Sequence, residues 1–170
     1  MRPGGSRSTG RQAHAREPGP TISREVDAPA EAVWGVLADG WLYATWVVGA
    51  SRIRDVDAGW PAVGTRIHHS VGLWPALIND TTSVERAGPP RELVLTARGW
   101  PAGEAHVHLS VEPRGDSRCV VTMTEDAGSG PGTLIPGPLR HRLLAPRNRE
   151  TLLRLALLAE GRHATGTGAG

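Results

Sequence analysis

His69, Asp80 and Glu125 are the residues of this chain whose types suit general acid–base work. In such work an imidazole takes a proton from the carbon beside a carbonyl, a carboxylate orients that imidazole, and a second carboxyl group, kept protonated by burial, returns a proton to a departing hydroxyl. Their spacing sets all three on one side of a run of β-strands. After a first strand at 21–26, the segments 47–57, 64–71, 76–86, 92–99, 104–113 and 118–127 are separated by Gly- and Pro-rich turns. Links this short favour antiparallel neighbours.

Alternation then assigns faces. One parity is apolar through Ile67 and Val71, Ala76, Ile78 and Val84, Leu93, Leu95 and Ala97, Ala105, Val107, Leu109 and Val111, and Val121 and Met123. The opposite parity of the fifth of these segments, with Glu104, His106, His108, Ser110 and Glu112, reads as solvent face. Folding each hairpin symmetrically about its turn aligns Ile67, Asp80, Ala97, Ala105 and Glu125 in one inward row, with His69 directly or diagonally opposite Asp80. Two carboxylates beside two alanines imply space, because alanine fills little volume and an unpaired buried charge is costly. A second reading stands beside this one: Asp80 and Glu125 cap backbone donors or pair with an arginine such as Arg98 or Arg147, and His69 is a satisfied interior histidine.

Strand directions place Trp46 and the hairpins carrying Trp74 and Trp100 at one end of the sheet, with Trp60 at the other. The three tryptophans either stack on a planar ligand or plug that end as core. With Ile78, Ala97, Ala105 and Met123 on the inward face, and Asn148 on the covering helix, they make up the expected ligand-binding set. The loop from Gly128 to Pro138 leaves the sheet at the same end, where it fits a lid. His68-His69 and His106-x-His108 offer imidazoles for a metal, but parity turns the second pair outward and no cysteine or carboxylate completes a zinc spacing. No metal and no cofactor are expected.

Two helical stretches flank the strands. Asp27 sits where it can cap a helix containing Pro29 and Glu31, whose apolar face is Val33, Trp34 and Leu37. Gly40 ends it, and 41–46 forms a second short helical piece. From Pro138 to Arg162 a long helix carries Leu143, Leu144, Thr151, Leu152, Leu155, Leu158 and Ala159 at helical spacing, with Asn148 on that stripe. Pro146 should kink or divide it, the main part starting near Ala145. Arg140, Arg142, Arg147, Arg149 and Arg154 read as its solvated outer face.

Composition fits one soluble domain of 170 residues, spanning 21–162, between disordered tails at 1–20 and 163–170. The net charge of +2 and the pI of 9.4 owe much to Arg2, Arg7, Arg11 and Arg16 and to the absence of lysine. That tail has no aromatic residue to stack on bases, so nucleic acid is not an expected partner. One cysteine, Cys119, excludes an internal disulfide and reads as a small buried hydrophobe, and no apolar run approaches the roughly 18 residues of a membrane span. A cytoplasmic location without stable membrane insertion follows. Homodimer formation stays open.

The segments VDAPAEAVWGVLAD (26–39), AGPPRELVL (87–95) and VEPRGDSRCVVTMTED (111–126), in that order before a long C-terminal helix, resemble the SRPBCC or START-like helix-grip superfamily in its polyketide cyclase/dehydrase-like branch. The resemblance implies an α+β fold: a curved antiparallel sheet of six to seven strands wrapped around the C-terminal helix, with a short helical pair after the first strand. It implies a cavity for a lipid, polyketide or other hydrophobic small molecule. Three function classes follow: a binder of such a molecule, a cofactor-free cyclase or dehydratase using His69, Asp80 and Glu125, and an interaction module of the chaperone-activator kind. Space on the inward face disfavours the third, and binding ranks first.

Overall fold

The computed structural model describes residues 19–72, 77–99, 103–130, 134 and 136–167. Alternating sequence becomes seven strands: β1 (Thr21–Val26), β2 (Ala50–Val56), β3 (Arg66–Val71), β4 (Ile78–Gly88), β5 (Glu92–Gly99), β6 (Gly103–Pro113) and β7 (Cys119–Ser129). They form one antiparallel sheet in the order β1-β7-β6-β5-β4-β3-β2, so every hairpin neighbour is a sheet neighbour and the first strand closes onto the last. Between β1 and β2 lie α1 (Ala30–Leu37), a 3₁₀ turn (Gly40–Leu42) and the single-turn α2 (Tyr43–Trp46). The long helix α3 (Gly137–Thr167) covers the sheet. This is the expected helix-grip arrangement, with seven strands.

Inward parity holds as the alternation predicts. Ile67, Leu93, Leu109, Val121 and Met123 are buried against Leu152, Leu155, Ala156 and Ala159 of α3 and Val33, Val36 and Leu37 of α1. Fully burying one such side chain stabilises the fold by about 1.5–3 kcal/mol. Register differs from the symmetric expectation. The row through Ile67 runs Thr82, Ala97, Ala105 and Ala127, so Asp80 pairs with His69 and Glu125 with Val107. Each of the two turns involved is centred one residue later than its glycine and proline signals suggest. The ladder therefore slides by two residues, which preserves the face.

Local signals were met unevenly. Asp27 does not cap α1: the N-cap residue is Pro29, and the Asp27 amide instead donates to Glu160 of α3. Gly40 is needed for space rather than for helix breaking, since a Cβ there would sit 2.7 Å from Val56 Cγ1. At the β5–β6 hairpin Gly103 has φ +107° and its Cβ position is filled by the Ser129 carbonyl oxygen, so only glycine fits. Pro146 lies inside α3 without dividing it, and the helix runs on to Thr167, past Arg162 and into the segment expected as a disordered tail.

Candidate functional site

A pocket of about 260 Å³ opens between the sheet, α2 and the N-terminal half of α3. Leu95, Ala97, Ala105, Val107 and Met123 form its sheet wall, Tyr43, Trp46 and residues 47–50 one side, and Leu143, Leu144 and Arg147 of α3 the other. The two alanines leave the room here that larger residues would fill. Its polar groups come from His69 and Glu125, with Arg98 and Glu104 also in the lining.

His69 is 3% exposed, and burial pushes its pKa down to about 4, offset only in part by the Ser70 backbone. The ring is therefore neutral near pH 7. Its Nε2 lies 2.9 Å from the Thr82 hydroxyl, which lies 3.0 Å from the Tyr43 hydroxyl, and Nδ1 has no hydrogen-bond partner among the described residues. Burial raises the Tyr43 pKa to about 12, so this phenol stays protonated. The chain has two settings. If Tyr43 donates to Thr82 and Thr82 to Nε2, the ring proton sits on Nδ1; if the chain runs in reverse, Nε2 carries the proton and Nδ1 a lone pair, in both cases on an atom that is itself buried.

Glu125 is 5% exposed, and both its oxygens accept from Arg147 Nη2 at 3.0 Å. Arg147 Nε donates to Asn148 Oδ1 at 3.4 Å, and the buried Asn148 Nδ2 has no partner among the described residues. Arg147 thus turns inward, where the sequence reading set it on the outer face. Helical spacing held the signal, since Arg147 follows the lining residue Leu144 by three positions and precedes the buried Thr151 by four. With a cation against it, Glu125 is the ion-pair partner that the second sequence reading named, Arg147 included, rather than the free acid of the first.

Asp80 lies opposite His69 in register but does not bond to it, and His69 Nε2 is bonded to Thr82 instead. Its Oδ1 accepts from the Thr81 amide at 2.7 Å, Oδ2 has no partner among the described residues, and burial raises its pKa. The Asp80–His69 pairing is therefore corrected to a Thr82–His69 pairing. Trp46, Ala97, Ala105 and Met123 line the pocket with His69 and Glu125; Ile78, Asp80 and Asn148 do not. Trp74 and Trp100 lie outside the described residues, as do 131–133 and 135 of the expected lid. Tyr43, Thr82 and Arg147 are the polar groups that sequence reasoning passed over or misplaced, and Thr82 was legible as the next inward residue after Asp80.

Outside the pocket, His106 and His108 face away from the core, where Glu85 and Glu92 lie 3.1 and 3.0 Å from them. Among the described residues no helix is long and apolar enough to cross a membrane.

Comparison with known proteins converges on one family. The chain resembles the Zhui aromatase/cyclase from Streptomyces sp. R1128, with a TM-score of 0.65 and 18% identity over 84% of this chain and 93% of that one. A protein from Nitrosomonas europaea also gives 0.65, with 16% identity over 85% of this chain and 96% of the other. The di-domain ARO/CYC BexL from the BE-7585A biosynthetic pathway gives 0.57 at 13% identity, covering 84% of this chain and 48% of its own length. Identities this low carry the fold alone. No curated protein sequence matches. A family profile described as polyketide cyclase/dehydrase and lipid transport matches residues 20–160. With its sheet, gripping helix and most of its length accounted for, the chain belongs to the polyketide cyclase/dehydrase and lipid transport family of the SRPBCC superfamily.

Proposed function

We propose that this protein binds a small hydrophobic molecule, aromatic or polyketide-like, in the pocket between the sheet and α3. The observation that carries the reading is the combination of apolar walls with a few convergent polar groups, the general form of a small-molecule site. At about 260 Å³ the space suits a compact ligand of a few rings or a short chain. The filled interior that an interaction module requires is not what these walls enclose.

A second reading has its own support. The neutral His69 lines the pocket and is suited to cofactor-free cyclisation or dehydration. Its Nδ1 takes a proton beside a ligand carbonyl when Thr82 accepts from Nε2 and, as imidazolium, returns it to the departing hydroxyl, which leaves as water. Because Nδ1 is buried, this reading requires the ring to turn toward the ligand. Glu125 and Arg147 would then orient the carbonyl rather than supply the acid.

One experiment tests both. A planar two-ring aromatic ketone, titrated calorimetrically, should bind the native protein and lose at least about tenfold in affinity to Ala105→Phe, which fills the space. Undiminished binding by that variant removes the pocket from consideration. In the same preparation, His69→Asn should keep binding and abolish conversion of a poly-β-ketone if the second reading holds, and conversion that survives the change ends it.

A further inference from the structure

We infer that the pocket selects uncharged, oxygen-bearing ligands and discriminates against carboxylates such as free fatty acids, because each arginine that lines it is already neutralised by a glutamate that lines it. This rests on the binding reading above and names the ligand class for it. Among the described residues the lining holds two arginines and two glutamates. Arg147 is bonded to both oxygens of Glu125 inside, and Arg98 Nε to Glu104 Oε1 at 3.2 Å at the exposed rim. Among the described residues of the lining, no cation is without an anionic partner.

The remaining polar groups point the same way. His69 is neutral near pH 7 and Tyr43 keeps its proton, so neither adds positive charge. Asp80, on the same face of the sheet, has its charged form disfavoured by burial, which the Thr81 amide and the nearby Arg98 offset only in part. A carboxylate entering this space would shed its hydration shell and meet Glu125 across a guanidinium that is already shared. A ketone, phenol or lactone oxygen loses much less on entry and can accept from the guanidinium N–H groups of Arg147 that Glu125 leaves unused. The Glu125–Arg147 pair is thus a specificity device, and Glu125 is the residue that sets its sign.

The test uses two probes of matched shape, 2-acetylnaphthalene and 2-naphthoate, titrated at pH 7.5 into the native protein and into Glu125→Gln. The native protein should bind the ketone about tenfold or more tightly than the acid. Glu125→Gln, which frees Arg147, should move that ratio about tenfold toward the acid, and adding Arg147→Met should restore the native preference. Equal affinities, or a native preference for naphthoate, overturn the inference and leave the pocket reading standing. A ketone preference that Glu125→Gln does not shift also overturns it, since apolarity alone would then explain the ratio. Binding of neither probe overturns the pocket reading and this inference with it. Should Glu125→Gln fail to fold, Glu104→Gln at the rim frees Arg98 and must shift the ratio in the same direction by a smaller factor.

Discussion

The two halves of α3 face different neighbours. Toward its C-terminus Leu152, Leu155, Ala156 and Ala159 are each at most 1% exposed and pack against α1 and the sheet, while Thr151 accepts from the Val48 amide at 3.2 Å. Toward its N-terminus Leu139 and Leu143 are half or more exposed, and the pocket lies beneath Leu143, Leu144 and Arg147. One helix therefore does two jobs, and the boundary between them falls near Asn148. The solid half is a source of stability; around the open half, His69 Nδ1 and Asp80 Oδ2 of the sheet and Asn148 Nδ2 of α3 are buried without a partner among the described residues, which is a cost.

Truncation on either side of the boundary gives the largest contrast. Leu155→Ala should destabilise the protein by about 3 kcal/mol, as expected for a well-packed core leucine. Leu143→Ala should change stability by no more than about 0.5 kcal/mol. Urea denaturation with matched slopes measures both. A comparable loss in the two variants would mean that α3 is packed uniformly and that the boundary is not there.

The pH dependence of stability sharpens the comparison from the sheet side. His69 has a folded pKa of about 4 against an ordinary value of 6.5, so between those values the unfolded chain binds the proton and the native state resists it. Its contribution is present above about pH 6.5 and is lost as pH falls toward 4, a loss of about 2–3 kcal/mol by the size of that shift. His69→Gln should flatten the stability profile over this window. An unchanged acid limb in that variant would show that His69 is solvated or paired, and would deprive the site of its neutral imidazole.

How much of this was legible in the sequence depended on which quantity was being read. The inward face of the strands came through because it follows from a period of two, and the two-residue slip that carried Asp80 opposite His69 and Glu125 opposite Val107 leaves that period intact. The row of partners did not come through, because it depends on where each turn is centred and neighbouring glycines and prolines permit more than one centre. Tyr43 escaped notice because α2 is only four residues long, too short for a helical period to announce a buried face. Arg147 carried two readings, solvated on the outer face of a basic helix or paired with an inward carboxylate, and only the position of Glu125 in the folded sheet decides for the pair.

Asp80 and Glu125 form the smallest and most discriminating contrast. Both are buried carboxylates on one face of the sheet, yet among the described residues Glu125 forms a salt bridge and Asp80 forms none, Arg98 offsetting only part of its burial. A carboxyl whose folded pKa is raised contributes its stability below the unfolded pKa and loses it as pH rises through the folded one, so at pH 7 the charge on Asp80 is a net cost. Asp80→Asn should accordingly stabilise the protein at pH 7, an advantage that shrinks toward pH 3, whereas Glu125→Gln should destabilise it by leaving the Arg147 guanidinium without its partner. Thermal denaturation at the two pH values decides the matter. If Asp80→Asn is destabilising at pH 7, its Oδ2 has a partner in the folded protein, and the open half of the molecule is better satisfied than its orphaned polar atoms indicate.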